Sequence, residues 1–312
     1  MAPADAPRIQ RGEPVALVLG AGGARGLAQI GVIEAMQARR MRIVAVAGSS
    51  SGALVGGLFA AGQLGMFREW LLSMSRTDML RLLDPVFGQP ALFEGTRLMA
   101  ALRERTGDIR IEELPIDFTA VAVDLLRQRE VWLRDGDLWD AVRASIAIPG
   151  VFTPHPVNGR ELVDGGLLAP LPIAATRLSD AHRLVAVDMN SWPDNPPGNP
   201  AEPEAEEPRI GDEAPAHARL LDWIEQRFHR GRDAAAAPAD TNGHPYGLID
   251  LMARSLDTMQ AQIARVQMAL DPPELVIRIP RDACQFYEFW RAKELIAIGR
   301  VEADKALDEA GY

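Results

Sequence analysis

The sequence predicts an α/β fold with a mainly parallel central sheet and helices packed on its faces. Three observations predict it. Short apolar runs at 15–19 and 42–47 each end at a glycine, as buried parallel strands do. Each is followed by a stretch that reads as a helix, giving the order strand, helix, strand, helix. The second turn is Gly48-Ser49-Ser50-Ser51-Gly52, and Gly-x-Ser-x-Gly between a strand and a helix is the pattern of a nucleophile elbow. The elbow is therefore expected after the second strand.

Taken in order, residues 1–13 are Pro- and Ala-rich and are expected to be a disordered arm; residues 14–312 are expected to form one domain. The strand at 15–19 leads into a glycine-rich loop at 20–26. Leu27, Ile30, Ile33 and Met36 then recur at helical spacing, up to Arg39 and Arg40. The strand at 42–47 places Ser50 at its end, and 53–63 reads as a buried helix. Residues 66–110 look helical and surface-lying, with turn signals at Asp84-Pro85 and Phe93-Glu94-Gly95 and with Thr96 as the N-cap of a helix carrying Leu98 and Leu102. Strands are expected at 117–123 and 130–134, then a turn at Asp135-Gly136. Leu138, Val142 and Ile146 mark a helix that Pro149-Gly150 ends. A loop and hairpin at 152–163 lead into Leu162-Val163-Asp164-Gly165-Gly166, and 182–187 is a further strand.

Composition then shifts. Residues at about 190–218 are rich in Pro, Glu and Asp, and 232–246 is a second loose stretch; both read as exposed excursions, with a short helix at 220–228 between them. A helix at 248–270, a strand at 274–279 and a helix at 285–307 return to the same sheet, so the excursion is an insert in one domain.

At 312 residues and 47% hydrophobic, the chain can bury a sizeable core. A net charge of −10 argues against nucleic-acid partners and against electrostatic attraction to anionic membranes. The single cysteine, Cys284, allows no disulfide within the chain and no cysteine-based metal site. The N-terminus lacks the apolar core of a signal peptide, and no apolar run is long enough to span a bilayer. The expectation is a cytoplasmic protein whose membrane contact, if any, is peripheral to the inner face. The sequence carries no signal for an oligomeric state.

The loop at 20–26 admits two readings. As a dinucleotide loop its spacing is poor: Arg25 stands where Gly or Ala belongs, although Gly20, Gly22 and Gly26 give a variant spacing, and no acidic residue ends the second strand to hold a ribose. As an oxyanion hole, it offers backbone N–H groups at a helix start, beside the elbow, at the strand ends where open parallel sheets place their sites. A serine nucleophile also needs a base. Of the five histidines, His217, His229 and His244 lie in or beside the loose stretches, His155 sits between two prolines, and His182 opens a strand. Asp164, which locally reads as a turn residue before two glycines, leaves a direct Ser–Asp dyad as the remaining arrangement.

Gly22-Gly23-Ala24-Arg25-Gly26, Gly48-Ser49-Ser50-Ser51-Gly52 and Asp164-Gly165-Gly166, in this order, resemble the three signatures of the patatin-like phospholipase family. The segments at 143–152 and 170–172 also resemble that family. The resemblance covers roughly 15–190 and implies a three-layer α/β/α fold and hydrolysis of lipid acyl esters, with no metal or cofactor. It implies Ser50 as nucleophile, Asp164 as general base, and the N–H groups of Gly22, Gly23 and Ala24 as oxyanion hole. Arg25 would brace that loop, with a secondary role near anionic headgroups, and Gly26, Gly48, Gly52, Gly165 and Gly166 would support the turns. Ala21, where the family usually has glycine, and Ala169, where it often has asparagine, depart from the pattern. A non-catalytic regulator on the same fold is the alternative. The apolar helices at 66–83 and 96–105, with Phe67, Trp70, Leu71, Met74 and Met79, read as the lining of a lipid cleft, a face for a bilayer, or ordinary core.

Overall fold

The apolar runs pair into one eight-stranded sheet of order β5-β6-β3-β2-β1-β7-β8, with β4 added on β3. The strands are β1 (Pro14–Leu19), β2 (Arg42–Ser49), β3 (Asp117–Asp124), β4 (Arg129–Leu133), β5 (His155–Val157), β6 (Arg160–Asp164), β7 (Arg183–Ser191) and β8 (Leu275–Pro280). The computed structural model describes residues 9–84, 91, 93–192 and 248–312. The chain divides into two units, Met1–Asp194 with Gln260–Tyr312, and Asn195–Met259. Every described strand lies in the first unit; of the second, only residues 248–259 are described.

Five neighbouring strands, β3-β2-β1-β7-β8, are parallel, and the edge formed by β4, β5 and β6 is antiparallel. Alternation along β1 separates two faces, as side chains alternate across a strand. Leu17 and Leu19 join the main core with Ile30 and Ile33 of α1 (Ala28–Ala38), Leu58 of α2 (Ser51–Ala60) and Leu295 of α8 (Ala292–Glu309). Val18 instead packs with Leu171, Ile173 and Ala264, the last on α7 (Leu248–Leu270). Helices thus cover both faces. The remaining helices are α3 (Leu64–Ser73), α4 (Arg76–Leu83), α5 (Thr96–Thr106) and α6 (Leu138–Ser145).

Several boundaries differ from expectation. The arm is not free from Ile9 onward: Ile9 is buried in the core and its N–H donates to the Tyr312 hydroxyl at 2.6 Å, while Glu13 pairs with Arg183. Residues 1–8 lie outside the described residues. Gly95, not Thr96, caps α5; its φ of +73° makes the turn that a side-chain cap would otherwise hold, so Thr96 is already helical. β7 runs through Ser191, so the expected excursion cannot start before that residue; its remainder from 193, the loose stretch at 232–246 and the helix expected at 220–228 lie outside the described residues. The final helix starts at Ala292, after a short turn at Phe289–Arg291, rather than at 285.

Candidate active site

β3 is the strand that brings Ser50 and Asp164 together. β2 pairs with it through Ser49 opposite Val121, and β6 pairs with it through Asp164 opposite Ala122. β4 occupies the other side of β3 along residues 120–124. β2 and β6 therefore lie end to end on one side of β3, and the row after Ser49 is the row of Asp164. Two residues 114 positions apart in sequence become neighbours because one long strand serves both.

Ser50 sits where β2 breaks into α2, at φ +56° and ψ −127°. A non-glycine residue in that region is strained and held by its surroundings. Gly52 lets the turn close: a Cβ there would lie 2.1 Å from the Leu19 carbonyl oxygen. Gly48 packs directly on Gly52, and Gly26 on Ser51, with equally little room.

Ser145, at the end of α6 and fully buried, fastens the elbow from below. Its hydroxyl accepts the Ser50 N–H at 3.0 Å and donates to the Val121 carbonyl at 2.6 Å. The sequence reading did not single it out as a site residue; a helical serine carries no local sign of a partner 95 positions away. Replacing it with alanine strands a buried N–H and a buried carbonyl, each costing about 1–3 kcal/mol. Ser145→Ala is expected to lower kcat about ten- to a hundredfold with KM nearly unchanged, measured on a soluble ester. A proportional rise in KM would assign Ser145 to substrate binding instead.

Asp164 is 2% exposed. Its Oδ1 accepts the Gly166 N–H at 2.7 Å. Its Oδ2 is buried with no hydrogen-bond partner among the described residues. Burial pushes the carboxyl from 3.8 up to about 7, against the smaller opposing pulls of the Ser50 hydroxyl and the Gly166 N–H. Ser50 is thus near enough to act on the carboxyl while closing no hydrogen bond to it, a looseness common in unliganded sites. Gly165 fits under Val121, where a Cβ would meet the carbonyl oxygen at 2.1 Å, and Gly166 packs against Ala21 and Gln260.

The loop at 20–26 lies beside the elbow. No hydrogen bond in the described structure takes the N–H of Gly22 or Gly23. The N–H of Ala24, expected to serve the same role, donates to the Phe286 carbonyl at 2.8 Å and is not free. Arg25 is 3% exposed; its Nε donates to the Gly22 carbonyl at 3.2 Å and its guanidinium to the Arg281 carbonyl at 3.0 Å. That burial leaves it no surface for the expected headgroup role. Residues 281–286 thus hold the loop from outside it.

A cleft with about 650 Å³ of empty space, its open mouth included, reaches Ser50. Its walls are apolar: Leu27, Leu54, Phe67, Trp70, Leu71, Met74, Met79, Leu82, Leu98, Ile146, Ile148, Phe152 and Phe289. The helices at 66–83 and 96–105 line this cleft, and Phe67, Leu71, Met79 and Leu102 also belong to the main core. Arg143, behind Phe152, is anchored on the carbonyl of Glu94 and on Thr153. His155 lies 3.3 Å from Asp140 and outside the dyad, and burial lowers its pKa. His182 lies just before β7, and His217, His229 and His244 lie outside the described residues.

Fold and site together define a class: an α/β protein with a strained serine at a strand-to-helix turn of a mainly parallel sheet. The chain belongs to the patatin-like phospholipase family, whose model matches residues 17–177 and so spans both Ser50 and Asp164. An uncharacterized NTE family protein of Mycobacterium tuberculosis is 40% identical over 329 aligned positions, covering 94% of this chain and 91% of that one. Human patatin-like phospholipase domain-containing protein 6 is 33% identical over 192 positions, 59% of this chain but 14% of its own length. The solved structure of VipD from Legionella pneumophila covers 96% of this chain and 67% of that one, at a TM-score of 0.46 and 14% identity, a likeness too loose to bear on function. Membership in this family makes lipid-ester hydrolysis the activity to account for.

Proposed function

We propose that the protein is a serine hydrolase of lipid acyl esters working through a Ser50–Asp164 dyad. The observation that carries this reading is the strained elbow serine beside a buried carboxylate whose Oδ2 is unpartnered. Asp164 Oδ2 accepts the Ser50 proton as Oγ bonds to the ester carbonyl carbon. The carbonyl electron pair moves onto oxygen, and the N–H groups of Gly22 and Gly23 hold that oxyanion. One such donor is worth about 3–4 kcal/mol of barrier. Collapse breaks the ester C–O bond, and the leaving alcohol takes the proton from Asp164. Water then gives a proton to Asp164 and attacks the acyl-enzyme; the carboxylic acid leaves and Ser50 regains its hydrogen.

The cleft supports an acyl chain as the bound part, since its lining has no charged side chain to engage a headgroup. The finer type, phospholipase A, lysophospholipase or carboxylesterase, rests on product analysis.

The test is hydrolysis of p-nitrophenyl butyrate and of phosphatidylcholine by wild type and Ser50→Ala, with fluorophosphonate labelling of both. Wild type is expected to turn over and to label, and Ser50→Ala to lose about a million-fold in kcat and all labelling. A wild type that neither turns over nor labels would overturn the reading in favour of a regulator.

A further inference from the structure

We propose that Gln260 is a positioning residue for Asp164: its side-chain amide holds the Oδ1 side of the carboxylate, directly or through one water, and so favours the charged form of the base. This rests on the dyad reading above. Gln260 stands on α7 at the level of the Asp164 turn. A Cβ on Gly166 would lie 2.7 Å from Gln260 Nε2 and 2.9 Å from Asp164 Oδ1. The two atoms are therefore no further apart than two hydrogen bonds laid end to end, a span that one bridging water closes. Gly166 keeps that space open, since any side chain there would meet both the amide and the carboxylate.

Packing gives no reason for an amide at this place. Gln260, Ala261 and Ala264 are the buried side chains of α7 among the described residues. The alanines let the helix lie close, and Ala264 packs with Val18, Leu171 and Ile173. Gln260 is 8% exposed, and no hydrogen bond among the described residues uses its side chain. A buried amide without a partner is unfavourable, and leucine or methionine would fill the same volume without that penalty. The helix is also tied along the chain that follows Asp164. Gln267 accepts the Leu171 N–H and donates to the Leu168 carbonyl, each at 3.3 Å, and Arg177 pairs with Asp271 at 2.9 Å. These ties fix where Gln260 stands relative to the turn.

The Asp164 carboxyl has few other influences. Besides burial, the Ser50 hydroxyl and the Gly166 N–H act on it, and no charged side chain of β3, β6, α2 or α7 does. The charges of the neighbouring elements answer to one another instead: Asp188 of β7 accepts the Asn190 N–H and feels Arg278 of β8, Arg25 and Arg265 of α7. Oδ1 already accepts the Gly166 N–H at 2.7 Å, and a carboxylate oxygen has room for a second donor. A donor to Oδ1 stabilises the ionised form and leaves Oδ2 for the Ser50 proton.

The test is the pH profile of kcat/KM on p-nitrophenyl butyrate for wild type, Gln260→Met, Gln260→Leu and Gln267→Met, with denaturant unfolding of each over the same pH range. Methionine keeps the length of glutamine and has no N–H. Gln260→Met is expected to move the apparent pKa upward. kcat/KM then falls about three- to tenfold at pH 6 and stays within about twofold of wild type at pH 9, where the carboxyl is ionised in both. Gln260→Leu is expected to do the same. In unfolding, the fall in stability with rising pH that Asp164 causes is expected to continue to a higher pH in both variants. Gln267→Met, which loosens α7 without reaching Asp164, is expected to lower stability at every pH and leave the apparent pKa in place. Gln260 variants whose profiles overlay wild type, or an equal shift in Gln267→Met, would overturn the positioning role and leave the hydrolase reading standing. A displaced unfolding profile in Gln260 variants of a protein that neither hydrolyses the ester nor labels with a fluorophosphonate would support the tie to Asp164 and overturn the hydrolase reading.

Discussion

Asparagine in place of Asp164 is expected to lower kcat/KM on a soluble ester by about ten-thousand-fold or more, because the side chain then cannot take the Ser50 proton. The same substitution is expected to stabilise the protein above neutral pH. Burial lifts the folded carboxyl from 3.8 to about 7. Between those values the folded chain holds a proton that the unfolded chain has released, so folding is favoured most below pH 4 and loses stability as pH rises through 7. Asparagine has no proton to lose and removes that dependence. The stability gap between Asp164→Asn and wild type is expected to widen by about 2–3 kcal/mol between pH 5 and pH 8. Denaturant unfolding at the two pH values measures it, and a gap independent of pH would show that the folded carboxyl titrates normally. In wild type, kcat/KM is expected to rise with pH through an apparent pKa near 7.

The second large effect is expected at Gly23. Its φ is +55°, and a Cβ there would lie 2.6 Å from the Phe286 carbonyl oxygen. Gly23→Ala must either strain the loop or push it from residue 286, and both displace the N–H groups of Gly22 and Gly23. The expected result is a fall in kcat of about a hundred- to a thousandfold, with little change in KM. The accompanying loss of stability is about 1–3 kcal/mol. Steady-state kinetics at matched folding would check it, and a variant that kept its kcat would remove this loop from transition-state stabilisation.

Much of this architecture could be read from local pattern. β1, β2 and β3 are short apolar runs bounded by turn residues, and the helices between them repeat their apolar positions at helical spacing, so each announces itself without its neighbours. Ser50 stood out in its glycine-flanked turn, whereas Asp164 read locally as a turn residue and was singled out only because a serine needs a base and by the resemblance. What could not be read depends on distant partners. A helical serine says nothing of the Ser50 N–H that Ser145 will accept. The alanine after two glycines gives no sign that its N–H will meet the Phe286 carbonyl. Ile9 is a lone apolar residue in a polar arm, and only the far end of the chain, through Tyr312, shows why it folds in. The antiparallel edge is a further case: strands β4 and β6 were expected, but which side of β3 each would take is settled by packing, not by either segment alone.

The grip of residues 281–286 on the loop at 22–25 ties the tail to the proposed site without giving it any chemistry. A chain cut after residue 177 would keep Ser50, Asp164, Gly22 and Gly23 but lose the Phe286 and Arg281 carbonyls that anchor Ala24 and Arg25. The smallest excisable working piece is therefore longer than its three motifs. Changes made far down the chain can act as a trim screw on turnover, altering rate while every residue that handles a proton or an acyl group stays the same.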